Sequence, residues 1–101
     1  MLNLVTLVGR LTSDVKILKD EKGNDYAIVN IAVPRIEKNE NGEFGTDFIK
    51  CDLIGSIATN TSQYCNKGDI IGIKGRIKTE NDIQKIVAEK VTFLSSNKKE
   101  D

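Results

Sequence analysis

Apolar and polar residues alternate along most of this chain with the period of two that a half-buried strand requires. The opening LNLVTLVGRL, residues 2–11, mixes β-branched and aliphatic side chains and reads as a strand, with Gly9 marking a bulge or sharp bend. DVKILK is a shorter strand that runs into the turn-rich DEKGND, where Lys22-Gly23-Asn24 forms a tight turn. YAIVNIAV, residues 26–33, places Ala27, Val29, Ile31 and Val33 on one side. Pro34 ends this strand or confines it to an edge, because proline cannot donate to a central ladder.

Residues 36–45 form a polar excursion with Asn41-Gly42 as its turn signal, and TDFIKCDLI, residues 46–54, returns as a strand. In GSIATNTSQYCNKG the pattern changes: Ile57, Thr61 and Tyr64 fall at helical spacing, with Ser56 available as a cap and Gly68 shortly past the end. DIIGIKGRIKT and IQKIVAEKVTFL are two further strands joined by a short turn at TEND. Five main strands, with one short helix between the third and fourth, predict an all-β fold: the five-stranded Greek-key barrel known as the OB-fold, over residues 1–94. A small SH3-like barrel is the alternative. The remaining SSNKKED, residues 95–101, is a short polar tail expected to fray.

One strand breaks the simple pattern. In residues 46–54 the face opposite Ile49, Cys51 and Leu53 carries Phe48, Lys50, Asp52 and Ile54, so both faces are partly apolar. Large apolar groups on the outer face of a small barrel predict either a binding surface or a subunit interface. Lys74, Arg76 and Lys78 likewise project from one face of their strand, where they can meet phosphate or simply solvate an edge.

Composition narrows the function. The 101 residues suffice for one modest core, and 15 basic against 15 acidic residues give a formal net charge of zero. A nucleic-acid binder with that balance has to segregate its cations onto one face. There is no histidine, no nucleophile beside a base, and no glycine-rich phosphate loop, so neither an enzyme nor a cofactor is expected. Cys51 and Cys65 are far apart and belong to no metal-binding motif, which predicts no metal and two free thiols, although a disulfide is also compatible with the sequence. No apolar run is long enough for a membrane span or a signal peptide, which makes the cytoplasm the expected compartment.

The motifs MLNLVTLVGRLTSD, NGEFGTDFIKCDLIG, YCNKG, IKGRIKT and VAEKVTFL, in that order, resemble bacterial and phage single-stranded DNA-binding proteins across residues 1–94. The resemblance implies an OB-fold that associates into dimers or tetramers, associates with the nucleoid, and holds single-stranded DNA in replication, recombination or repair without sequence preference. It places Phe48 at a stacking position and Ile54 where a second aromatic is common, with Lys50 between them for a phosphate. The chain departs from the family at Ile36-Glu37, where an aromatic is frequent, and at Glu80, where a cation usually follows the threonine. Its loop between the last two strands is cut to about residues 80–82. The tail lacks the acidic and hydrophobic peptide that recruits repair enzymes, so recruitment by that route is not expected.

Lys74, Arg76 and Lys78 complete the expected DNA track, with Arg10, Arg35 and Lys38 extending it and Tyr26 either stacking or covering the barrel mouth. Tyr64 and Phe93 are expected in the core, and Phe44 at the hairpin tip either clamps a base or folds back on its loop. Two other readings are compatible with the same residues: a primosomal protein of replication restart that bridges DNA and protein partners, and a protein-interaction OB module.

Overall fold

In the computed structural model, which describes residues 1–95, six strands and one helix follow in the order β1 (Val5–Leu11), β2 (Leu18–Lys19), β3 (Asp25–Lys38), β4 (Phe44–Ile54), α1 (Ser56–Tyr64), β5 (Ile70–Glu80) and β6 (Ile83–Phe93). The sheet runs β1-β5-β6-β4-β3, and β1 also pairs with β3, so these five strands close on themselves while β2 is a two-residue stub on β3. The closed five-strand barrel with one helix between its third and fourth main strands is the OB-fold that the element order predicts.

Alternation supplies the core. Ala27, Val29 and Ile31 of β3 point inward with Cys51 and Leu53 of β4, Ile71 and Ile73 of β5, and Ile86 and Ala88 of β6. The barrel closes where β4 meets β6, and that parallel contact is short: Cys51 opposite Ile86 and Asp52 opposite Val87. Strands bend hard to achieve this closure, and glycines sit where backbones come closest. A Cβ on Gly9 would lie 2.3 Å from Ile31 Cγ2, and one on Gly75 would lie 2.2 Å from the Val87 carbonyl oxygen. Gly75 also adjoins a register shift in the β5–β6 ladder, which leaves Glu89 unpaired between Ala88 and Lys90.

Several local expectations are corrected. The first strand begins at Val5 rather than Leu2, because the Asn3 side chain takes over the ladder, donating to the Ile77 carbonyl (2.7 Å) and accepting from its N–H (2.8 Å). Pro34 does not end β3, which continues to Lys38. Proline is tolerated there because the ladder to β4 is irregular between Pro34 and Lys38. The polar excursion is therefore a two-stranded arm with its turn at residues 39–43, where the Asn39 side chain accepts from the N–H groups of Asn41 and Glu43. This arm helps to raise the radius of gyration to 14.5 Å, against about 13 Å for a compact chain of this length.

Ser56 does not cap the helix. Gly55 occupies that position at φ 64°, and no side chain caps it, because the strand turns directly into the helix. The inward stripe of α1 is Ala58 and Thr61, followed by buried Cys65, with the Thr61 hydroxyl donating to the Ile57 carbonyl at 2.7 Å. Tyr64 and Phe93 lie outside the core, 52% and 41% exposed, with ring centroids 5.7 Å apart. The helical spacing was real, but the stripe through Thr61 turns towards Ala58 and away from Tyr64.

Both thiols are free and buried, and burial, aided by the Asp52 charge, pushes the Cys51 thiol up to about 12 from its ordinary 9.0. Neither cysteine should react with Ellman's reagent in the native state near neutral pH, and both should react after denaturation. Because the folded value lies above the unfolded one, the thiol's contribution to stability is intact below pH 9 and is lost as pH rises towards 12. Denaturant midpoints should fall across that window, and less steeply in Cys51→Ala. Gly75→Ala should lower stability by about 1–3 kcal/mol in urea titrations, since its new methyl meets backbone that has to move.

Candidate nucleic-acid interface

The outer face of β4 presents Phe48 (69% exposed), Lys50, Asp52 and Ile54 (54% exposed). Antiparallel register sets β3 beside it, with Tyr26 opposite Ile54, Ile28 opposite Asp52, Asn30 opposite Lys50 and Ala32 opposite Phe48. Across the seam, the β5–β6 hairpin brings Arg76 opposite Val87 and Lys78 opposite Lys85. Its two-residue turn, Asn81 and Asp82 at φ 53° and 63°, ends the hairpin beside this face.

Two hollows result. A cleft of about 360 Å³ opens between Phe48, Ile49 and Lys50 on one side and Ile77, Gln84, Lys85 and Ile86 on the other. It lies where β4 and β6 diverge beyond their short pairing. The second hollow, about 370 Å³, is lined by Tyr26, Ile54 and Val87 together with Arg76, Lys78, Lys85 and the carboxylates Asp20, Asp25, Asp52 and Glu80. Of the ten residues expected from sequence, Phe48, Lys50, Ile54, Tyr26, Arg76 and Lys78 line these two hollows.

The other four stand elsewhere. Arg10 lies opposite Ala32 but donates from Nη1 to the Gly68 carbonyl (2.9 Å) and lines a separate hollow with Val8, Pro34 and Ile70. Arg35 is held by Asp47 at 2.7 Å on the arm, and this pairing keeps the Asp47 carboxyl below the usual carboxylate range. Lys38 stands over the ring of Phe44, 5.3 Å from its centroid, near the arm's turn, where Phe44 stays exposed. Lys74 sits beyond the Gly75 irregularity, between Thr6 and Lys90.

Lys85 is the residue that the sequence reading missed. Its Nζ lies 2.6 Å from Asp52 Oδ2 and 3.2 Å from Glu80 Oε1, with 17% of its side chain exposed, and it lines both hollows. The hydrogen bond to Asp52, followed by that to Glu80, raises the Lys85 pKa, and the hydrogen bond from Lys85 lowers that of Glu80. A signal was available: once the turn at Asn81-Asp82 is taken as two residues, Lys78 must face Lys85, and Glu80 lies on the same face.

The cations are not segregated as zero net charge had required. Arg76 pairs with Glu89 at 3.6 Å, Lys78 with Glu80 at 3.5 Å, and Lys85 with Asp52 and Glu80. Among the described residues of the face, Lys50 makes no ion pair. The arrangement therefore offers apolar walls and one exposed aromatic ring, with a single unpaired cation between Phe48 and Ile54. Among the described residues no three His, Cys, Asp or Glu side chains converge so as to hold a metal ion.

Comparison with known proteins agrees with this architecture. Single-stranded DNA-binding protein B of Bacillus subtilis is 38% identical over 99% of this chain and 96% of its own length. Single-stranded DNA-binding protein 1 of Lactococcus lactis is 37% identical over 97% of this chain and 71% of its own. A crystal structure of a deletion mutant of the Thermus aquaticus single-stranded DNA binding protein shares the fold, with a TM-score of 0.75 at 22% identity, over 95% of this chain and 52% of that one. Residues 2–95 match the pattern of the single-strand binding protein family, and the chain belongs to that family.

Proposed function

We propose that this protein binds and protects single-stranded DNA during replication, recombination or repair, in the cytoplasm at the nucleoid and without chemistry of its own. The observation that carries the reading is Phe48, 69% exposed at the lip of a cleft whose other apolar walls are Ile49, Ile77 and Ile86. An exposed ring is costly in water, and a nucleobase covers it whatever its identity, because every base has a π-face. Ile54 and Tyr26 give apolar support in the second hollow, and Lys50, between Phe48 and Ile54 on the outer face of β4, meets a phosphate. Arg76 and Lys78 reach phosphate only by exchanging their carboxylate partners. Arg10, Arg35, Lys38 and Lys74 take at most secondary parts.

Association into dimers or tetramers belongs to the same reading. β1 pairs with β3 only at Arg10 and Leu11, so its edge from Val5 to Gly9 is open on that side, beside exposed Leu2, Leu4 and Val8. An open, apolar edge strand is a template for pairing with a second copy. Light scattering should give a mass above one 11.2 kDa chain, and a monomer at working concentrations would remove this part of the reading.

Fluorescence anisotropy with labelled oligo-dT, against the same sequence as duplex, tests DNA binding directly. Phe48→Ala should weaken binding roughly 5- to 150-fold, the equivalent of about 1–3 kcal/mol for one stacked base. Unchanged affinity in that variant would overturn the stacking role. With three phosphate contacts per protomer at about −0.7 each, the log–log salt slope should be roughly −2 for each protomer that engages the strand, and a slope steeper than about −5 per protomer would contradict the charge pairing described above.

A further inference from the structure

The second hollow has more carboxylates than cations. Asp20, Asp25, Asp52 and Glu80 line it against Arg76, Lys78 and Lys85, around the apolar side chains of Ile54 and Val87. Three of the four carboxylates are already committed. Asp20 accepts from the backbone N–H groups of Lys22 and Asn24, which shape their turn. Asp25 holds Lys19 at 2.6 Å, and Asp52 holds Lys85 through Oδ2 while its Oδ1, without a hydrogen-bond partner, is buried out of reach of a ligand. Glu80 differs: it is about half exposed, at the end of β5 beside the turn, and its two cation contacts at 3.2 and 3.5 Å leave lone pairs open to the hollow.

A carboxylate at neutral pH only accepts hydrogen bonds. Lowering of the Glu80 pKa by Lys85 and Lys78 keeps it in that form. A base resting on Ile54 and Tyr26 brings its edge towards an acceptor that cannot reverse its role. Cytosine offers an amino group at its 4-position and pairs naturally with such a carboxylate. Thymine and uracil present a carbonyl oxygen at the same position, so a carboxylate aimed there faces a second acceptor and has to shift along the edge to reach the N3–H instead. We propose that Glu80 biases this face towards bases with an exocyclic amino group, with cytosine over thymine as the simplest case. The inference rests on the reading that this face binds single-stranded DNA, and adds a selection of a few fold to binding that accepts any sequence.

The bias is measured by anisotropy with oligo-dC and oligo-dU of equal length, at a mildly alkaline pH where cytosine is unprotonated. These two pyrimidines differ along one edge, at N3 and at the 4-position, without the added methyl of thymine. The wild-type protein should bind oligo-dC roughly three- to tenfold more tightly, the effect of one hydrogen bond gained against one repulsion. In Glu80→Gln the ratio should fall to near unity, because the amide donates to a carbonyl as readily as it accepts from an amine, and both oligomers should bind more tightly with one negative charge removed. Equal or tighter binding of oligo-dU by the wild type would overturn the inference while leaving the DNA-binding reading intact. A cytosine preference that persists unchanged in Glu80→Gln would overturn the role of Glu80. Failure of both oligomers to bind would overturn the DNA-binding reading, and this inference with it.

Discussion

Barrel closure depends on two short contacts, the antiparallel one between β1 and β3 and the parallel one between β4 and β6, and the second underlies the candidate interface. Cys51 and Asp52 of β4 meet Ile86 and Val87 of β6, and no other pairing joins these two strands. Inside, the contact is secured by apolar burial. Outside, it is secured by the Lys85–Asp52 ion pair at 2.6 Å, in which both side chains are more than four-fifths covered. Loss of one partner of such a pair strands the other charge in a poorly solvated position, which costs more than the pair itself contributes. The candidate interface is spread over this seam: Phe48 and Ile54 stand on β4, whereas Arg76 and Lys78 come from the hairpin beyond it. The residue that closes the barrel thus also fixes the distance between the stacking group and the cations.

The same ion pair explains how a chain of zero net charge can present a DNA-binding face. Free cations would release condensed counterions from DNA and make binding steeply salt-dependent. Here Arg76, Lys78 and Lys85 begin with carboxylate partners, so a phosphate replaces one anion with another and gains little. The favourable contribution shifts to apolar and aromatic contact, which is insensitive to both salt and base identity. On the proposed reading, exposed Phe48, Ile28 and Ile54, with half-buried Tyr26 beside them, are the surface on which that contribution would arise.

Much of the fold was legible because alternation reports inward and outward positions directly: Ala27, Val29 and Ile31 are buried as their pattern predicts, and Phe48 and Ile54 are exposed. The pattern was silent on which outward residues become neighbours. That depends on register, which a two-residue turn and one irregularity determine: the Asn81-Asp82 turn sets Lys78 against Lys85, and the shift at Gly75 separates Lys74 from Arg76. Cations gathered by parity alone were therefore counted without their carboxylate partners: Glu89 and Asp52 lie on other strands from Arg76 and Lys85, and Glu80 follows Lys78 on the same face of β5. Tyr64 shows the same limit on a helix, where spacing selected a stripe that shares Thr61 with the buried one but faces outward.

Shortening of the β5–β6 turn has a consequence for how firmly one protomer can hold a strand. The hairpin stops at Glu80 and Ile83, so it adds no aromatic group to the face, and Phe48 is left as the exposed ring beside the cleft. One stacked base with apolar support is a modest anchor, on the order of a few kcal/mol. A strand that crosses two or more linked protomers meets several such anchors at high effective concentration, and weak contacts then multiply into stable coverage. If copies associate through the open edge of β1 as proposed, that edge, remote in sequence from Phe48, becomes part of the binding apparatus and supplies affinity that one stacked base per protomer does not.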